Sequence, residues 1–394
     1  MKITEFEILK VPPSWVWLKV HTDAGITGLG EPYLENHPEP VIAEVRRLEA
    51  LMVGQDPTRV EALWQLMYDS GLGYKGGPVK MSALSGIDMA LWDIAGKAAG
   101  LPVHQMLGGA CRDRVRVYRA VGGQLPHFVK PGQAYRDGKP ARMLPDTADA
   151  YMEAARALVQ EWGFRCLKAH FGPGPRLEAI GKVDAIAERF AAIREGAGPE
   201  VDVAVDIHNP HPAVAKALIA ALAPYRPLFV EEPMPIERVD ALHEVAASTN
   251  VAIAAGERWM GKWVFFDALR EGSLAVLQPD ISHAGGITEC RKIAAIGEAA
   301  WAQVALHCPL SPIAFAASIQ LDAHLPNFLV QEHNEVNDWR EGGRTYIGKG
   351  YLRDPFVLDD EGYVAVPELP GLGIELDEAG LEEVNRYPWT GVRG

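Results

Sequence analysis

From Val115 onward the chain alternates short β-branched or apolar runs with Ala-rich stretches of helical periodicity, and three of those runs end in acids at near-constant spacing. Val205-Asp206-Ile207-His208, Val230-Glu231-Glu232-Pro233 and Ala255-Gly256-Glu257 place carboxylates 25 and then 26 residues apart. That interval holds one strand, one helix and two loops, so the acids recur at the same point of successive βα units. Strands are expected near 115–121, 165–171, 201–207, 227–233, 251–257, 274–281, 302–308 and 328–333. Eight parallel strands of this kind close into a barrel, and their carboxyl ends then converge on one opening.

The flanking segments have a different rhythm. Residues 1–34 carry two strand-like runs with a turn at Thr22-Asp23-Ala24-Gly25, which predicts a hairpin or meander. Helical periodicity runs from Pro38 to Gly100, and around Leu84 and Ile87 it predicts a helix that packs one face on another domain. Gln124 to Asp146 has little periodicity but contains Pro126, Pro131, Gly132, Gly138, Pro140 and Pro145, so it is expected to be a long loop of the lid type. The tail from Gly348 loses the βα pattern and is expected to return to the amino-terminal unit.

Composition narrows the function classes. With 394 residues, 48% of them hydrophobic, the chain can bury a full barrel core and a second unit. A formal charge of −14 argues against nucleic acid, whose phosphates require Lys and Arg clusters. Cys111, Cys166, Cys290 and Cys308 are too scattered for a disulfide framework or a Cys-rich zinc site, which makes a reducing cytoplasm the expected compartment. The amino terminus alternates polar and apolar residues, unlike a signal peptide, and no apolar run approaches the roughly 20 residues that span a bilayer.

The strand ends carry the chemistry. Asp206, Glu231 and Glu257 are hard oxygen donors from three strands, a set that suits Mg²⁺ with positions left open for substrate oxygens. Side chains alternate along a strand, so only one of Glu231 and Glu232 lines the interior. His208 lies two residues beyond Asp206 and is expected to act as an acid beside it; Asn209 either contacts substrate or caps a helix. Asp280 ends the sixth strand and His307 the seventh, so a carboxylate can orient an imidazole across neighbouring strands, although Asp280 could equally cap the following helix. Lys168 and His170 share one face of the second strand and could bind a substrate carboxylate. Glu332 ends the eighth strand, where it would either bond a reaction intermediate or form a salt bridge at the rim.

Taken in order, Lys168-x-His170, Asp206-x-His208, Glu231-Glu232-Pro233, Ala255-Gly256-Glu257, Gln278-Pro279-Asp280, Gly285-Gly286-Ile287-Thr288, His307 and Gln331-Glu332 resemble the enolase superfamily, mandelate racemase subgroup, and within it the acid-sugar dehydratases. Pro12-Pro13-Ser14-Trp15, Gly30-Glu31-Pro32, Gly76-Gly77-Pro78 and Ala90-Leu91-Trp92-Asp93-Ile94 resemble the capping domain of that family.

The resemblance implies an α/β fold: a modified TIM barrel, (β/α)7β, at 115–345, with an α+β capping domain at 1–114 and a C-terminal segment at 346–394 that returns to it. It implies Mg²⁺ on Asp206, Glu231 and Glu257, His307 oriented by Asp280 as general base, His208 as general acid, and Glu332 steadying the enediolate. Lys168, His170, Trp15 and Asn209 would meet the substrate. The implied reaction is dehydration of an aldonate such as galactonate or gluconate to a 2-keto-3-deoxy acid. A racemase with bases on both faces and a non-catalytic acid-sugar binder are the alternatives, and a homo-oligomer is implied. His170 departs from the Lys-x-Lys of related racemases and the Lys-x-Asn of related dehydratases, which leaves the substrate and the inventory of bases open.

Overall fold

A computed structural model describes residues 1–121 and 146–391; of the expected 124–146 loop, only Asp146 lies among the described residues. The chain opens with a three-stranded antiparallel meander, β1 (Ile3–Val11), β2 (Trp15–Thr22) and β3 (Thr27–Gly30), with the Thr22 to Gly25 turn joining the second and third strands. Helices α1 (Pro38–Met52), α2 (Val60–Asp69), α3 (Pro78–Ala99) and α4 (Val103–Leu107) follow. Helix α3 packs one face on the barrel, as expected, through Trp92 and Asp88 to Thr288, and its other faces are covered as well, since every residue from Met81 to Leu91 is buried. Glycines let the meander approach it closely: a Cβ on Gly30 would lie 1.9 Å from the Gly86 carbonyl oxygen. A helix that is apolar all round must be covered on every side, and the barrel supplies the second cover.

The barrel strands are β4 (Arg114–Val121), β5 (Cys166–His170), β6 (Asp202–Asp206), β7 (Val230–Glu231), β8 (Ile253–Ala255), β9 (Val276–Leu277), β10 (Gln303–Val304) and β11 (Gln331–Glu332). Each observed strand falls within one residue of its expected segment. Between them run α5 (Ala148–Gln160), α6 (Val183–Ala197), α7 (Pro212–Leu222), α8 (Val239–Ala246), α9 (Lys262–Arg270), α10 (Gly286–Ala299) and α11 (Pro312–His324). The strands pair in parallel from β10 back to β4 and on to β11, and a parallel bridge between Val304 and Phe328 closes the ring. This is the (β/α)7β barrel.

Inside the ring, Tyr118, Cys166, Ala204, Phe229, Ala254, Val276, Ala305 and Val330 form one buried cluster, with one residue drawn from each strand or its immediate flank. Side chains alternate along a strand, so the residue two further on faces the same lumen one layer higher. Those residues are Ala120, Lys168, Asp206, Glu231, Gly256, Gln278, His307 and Glu332, six of them polar. The apolar layer therefore forms the floor on which the polar groups stand.

The tail adds β12 (Asp338–Glu341), β13 (Arg344–Ile347) and β14 (Phe356–Val357) as an antiparallel sheet, β15 (Tyr363–Ala365) antiparallel to β4, and α12 (Glu378–Val384). It does return to the amino-terminal unit: the Tyr351 hydroxyl donates to Pro12 O, Trp389 Nε1 to Trp15 O and the Leu372 amide to Asp93. It also holds the barrel, through β15 and through Gln320 Nε2, which donates to Leu372 O.

The amino-terminal unit docks on the starts of α10 and α11. Trp64 Nε1 donates to Gly285 O at 2.8 Å, Asp88 accepts from the Thr288 amide and hydroxyl, and Trp17 Nε1 donates to Ser311 Oγ at 2.8 Å. Glu31 accepts from the Ser311 amide, the Ser311 hydroxyl and the Ala314 amide, while its complete burial pushes its carboxyl up to about 8. These helix starts follow directly on β9 and β10, so the cap lies over the carboxyl ends of those strands. Among the described residues, no helix is long and apolar enough to cross a membrane.

Candidate active site

Asp206, Glu231 and Glu257 meet above the floor, with one oxygen from each within 4.8 Å of the others, and all three are buried. Glu231 points inward: Lys168 Nζ reaches both its oxygens at 2.8 and 3.0 Å, and Gln278 Nε2 donates to it at 2.7 Å. Glu232 turns away, accepting from the Gly256 amide at 3.0 Å and from Arg258. The parting of these neighbours is sharper than strand alternation alone gives, because Glu232 has a left-handed backbone, φ 51°, just after β7 ends.

At the Asp206 corner stand two imidazoles. His170 Nδ1 lies 2.9 Å and His208 Nδ1 3.1 Å from the same Asp206 oxygen, with ring centroids 5.0 Å apart. His208 lies outside the strand, at φ 48°, and its own amide donates to Asp206 at 2.9 Å. Burial works against ionising Asp206, but the bonds from the two histidines outweigh it and hold the carboxyl well below the usual range. Neighbouring Asn209, also left-handed, accepts from Arg258.

At the Glu257 corner stands His307. Its Nδ1 is 2.7 Å from Asp280 Oδ2, and its Nε2 lies 3.3 Å from Glu257 and 3.9 Å from Glu332. Asp280 is fully buried; its other oxygen accepts the Ser282 amide at 2.6 Å, and a parallel bridge pairs its backbone with that of His307. Burial would lower the imidazole pKa, but Glu257, Glu332 and Asp280 together raise it to about 10. Glu332 accepts from the Cys308 amide at 3.0 Å and lies 2.9 Å from Lys168 Nζ. Burial disfavours its charge, yet Lys168 and His307 bring its carboxyl down to about 2, so it is an ionised acceptor.

The structure thus brings ten of the eleven expected site residues into one constellation, Asn209 joining it only through Arg258. Trp15 lies apart: it is buried at 2% exposure, stacked near Trp17 and set against Tyr351 in the amino-terminal unit. Lys168 has its ammonium committed to Glu231 and Glu332; burial disfavours its charge, but those two carboxylates raise its pKa well above the ordinary lysine value. Gln278 and Arg258 were not singled out from the sequence. Gln278 sits two residues before Asp280, so strand parity could have found it; Arg258 adjoins Glu257 and carries no such periodic signal.

The donor set suits a divalent cation. Burial raises Glu257 well above the usual carboxylate range against the opposing pull of His307, and the charges of Glu232, Asp206 and Glu231 add to the rise, so a cation bound there would relieve it. Gln278 Oε1 is buried beside Glu231 and has no hydrogen-bond partner among the described residues. Three convergent carboxylate oxygens match a hard ion such as Mg²⁺.

A closed (β/α)7β barrel with carboxylates on three adjacent strand ends, two imidazoles at one corner and an Asp–His pair at the other defines a class: barrel enzymes that remove the proton α to a carboxylate with a metal ion's help. The chain matches the Mandelate racemase / muconate lactonizing enzyme N-terminal domain over residues 11–108 and the Enolase C-terminal domain-like family over residues 150–380. It belongs to the enolase superfamily, whose members use Mg²⁺. It is 42% identical to D-galactonate dehydratase of Ralstonia nicotianae over 389 residues, 98% of this chain and 95% of the relative. It is also 42% identical to D-galactonate dehydratase of Xanthomonas oryzae pv. oryzae, with the same coverage. Among solved structures, a mandelate racemase/muconate lactonizing enzyme from Jannaschia sp. superposes with a TM-score of 0.85 at 32% identity, covering 100% of this chain and 99% of the other. An enolase from Agrobacterium radiobacter, bound to Na and L-malate, superposes with a TM-score of 0.83 at 31% identity, covering 99% and 96%.

Proposed function

We propose that this enzyme dehydrates an acid sugar, an aldonate such as galactonate or gluconate, to its 2-keto-3-deoxy acid, and that it works in the cytoplasm. The observation that carries the reading is the placing of two kinds of imidazole at two corners of one carboxylate triad: His307 on Asp280 at the Glu257 corner, His208 on Asp206 at the other. The names of the relatives support the same reaction class.

Asp206, Glu231 and Glu257 would hold the metal. A bound Mg²⁺ supplies positive charge against the substrate carboxylate, without which the C2 proton is far too weakly acidic for a side chain to remove. Asp280 binds the Nδ1–H of His307, and with a cation bound to offset the carboxylate charge that holds the ring protonated, Nε2 would be the atom that takes the C2 proton. His208 gives a proton to the C3 hydroxyl, which departs as water, and the enol ketonises. Glu332 keeps Lys168 charged and in place beside Glu231. Asn209 steadies Arg258 at the rim, and His170 lies close enough to His208 to meet the same end of the substrate.

An isomerase would use Lys168 or His170 to reprotonate C2 from the face opposite His307. Lys168 has its ammonium committed to Glu231 and Glu332, which favours dehydration. The test is C2 exchange in D₂O with Mg²⁺, read by NMR alongside 2-keto acid formation across a set of aldonates. His307→Asn is expected to lose both, and His208→Asn to keep exchange while losing dehydration. Full exchange in His307→Asn would sink the base assignment, and C2 epimers without keto acid would favour the isomerase.

A further inference from the structure

His283, three residues after Asp280 at the start of the loop into α10, is not needed for the reaction as drawn, yet it is buried at 4% exposure. Both its ring nitrogens are occupied from the cap. Nδ1 lies 3.0 Å from Ser82 Oγ on α3, and Nε2 lies 3.1 Å from Glu35 Oε2 in the loop after β3. The same Nε2 stands 3.8 Å from Asp280 Oδ2, the oxygen that binds His307. One imidazole therefore touches two cap residues and the carboxylate that orients the proposed base.

The geometry points to His283 as a positioning residue, clamped by Ser82 and Glu35, that fixes the Asp280 carboxylate toward His307 and thereby makes the docked cap part of the base. This rests on the reading of Asp280 and His307 given above. Three features support it. Among the described residues the Asp280 carboxylate has only one other fixed bond, the Ser282 amide on Oδ1, so its Oδ2 is held by His307 and His283 alone. Burial would lower the His283 imidazole pKa, but Asp280 and Glu35 raise it to about 9 against the opposing charge of His307, so at neutral pH the ring is a cation facing the carboxylate. And both clamping groups come from the cap, more than 200 residues away in the chain, whose other bonds land on the helix starts beside the same strands.

The test compares His283→Asn with wild type on an aldonate that the enzyme turns over. Expected is a fall in kcat and in C2 exchange by the same factor, about 10- to 100-fold as for other groups that orient a ligand or base, with KM and Mg²⁺ affinity by calorimetry within about twofold. Wild-type exchange, or a loss shared by KM, Mg²⁺ affinity and melting temperature, would overturn the inference in favour of a mere interface bond. If His283→Asn does not fold, Glu35→Gln probes the clamp from its partly exposed side. It is expected to lower exchange by roughly threefold to tenfold, and an unchanged rate refutes the clamp. His307→Asn run in parallel separates the two readings: exchange surviving there removes the base assignment itself, whereas no exchange there with full exchange in His283→Asn removes only this inference.

Discussion

Replacing Asp280 by Asn is nearly isosteric, and the structure specifies which way the amide must turn. Asp280 Oδ1 accepts the Ser282 backbone amide at 2.6 Å, and that N–H can rotate nowhere else. The Asn oxygen is therefore required at the δ1 position, which puts its NH₂ where Oδ2 now meets His307 Nδ1 at 2.7 Å. An NH₂ there needs an acceptor, so in the neutral ring, the form that acts as the base, the His307 proton moves from Nδ1 to Nε2. Nε2 is the atom that faces Glu257 at 3.3 Å and that the proposed reaction uses as the base. Its lone pair is lost.

The expected cost follows from the analogous substitution in a Ser-His-Asp triad, where Asp→Asn enforces the wrong tautomer and lowers kcat about 10⁴-fold. Asp280→Ala removes the orienting group without imposing a tautomer, so it should retain more activity than Asp280→Asn despite the larger excision. The assay is C2 hydrogen–deuterium exchange by NMR at saturating Mg²⁺ and substrate, with melting temperature as a control. An Asn variant within about tenfold of wild type, or one more active than the Ala variant, would refute the tautomer argument.

Two further outcomes are expected. Lys168→Met leaves Glu231 and Glu332 buried without their shared cation, and should destabilise the protein in chelator by about 3–5 kcal/mol, with a larger Mg²⁺-induced rise in urea midpoint than wild type because the ion then has less competition; equal stability in chelator would contradict the pairing. Asp88, whose carboxyl burial raises to about 7, ionises more easily in the unfolded chain than in the folded one, so its contribution is full below about pH 4 and fades as pH rises through 7. Asp88→Asn should remove that slope, worth at most about 4 kcal/mol, and an unchanged gap between urea stabilities at pH 5 and pH 8 would rule it out.

The barrel was legible because its period is local. A strand, a helix and two turns fill about 25 residues in most of the units, and a chain that sets seven such helices between eight strands has few other ways to bury its apolar faces. The constellation at the strand ends followed from the same period, since acids in register on a parallel sheet share an end. What depended on non-local geometry was not legible. Glu35 and Ser82 reach His283 from cap residues about 200 or more positions upstream, and no spacing rule connects them. The periodicity of α3 showed that one face packs on another domain but not that its partner there is α10, which lies in another part of the chain. Trp15 was expected at the substrate because it lies in a family-like motif, but its indole is enclosed by Trp17 and Tyr351, the latter from the distant tail. The backbone turns at His208, Asn209 and Glu232 were hidden too, because three non-glycine residues with positive φ leave no compositional trace.

Those turns and the cap divide the site unequally. The strands that carry Asp280 and His307 lead into the helix starts on which the cap docks, and the His307 side chain is only 14% exposed. His170 and His208, on the other side of the triad, are 50% and 44% exposed. In the proposed reaction the carbon that loses its proton lies toward the covered side and the departing hydroxyl toward the open one. A carbanionic centre held away from water is less easily reprotonated by solvent, while the hydroxyl, once protonated by His208, leaves as a water molecule that needs an exit. The cap's contribution to dehydration rather than simple proton exchange is then to keep solvent from the Glu257 corner, and its bonds to the barrel, from Trp17, Glu31, Trp64 and Asp88, all fall on that side.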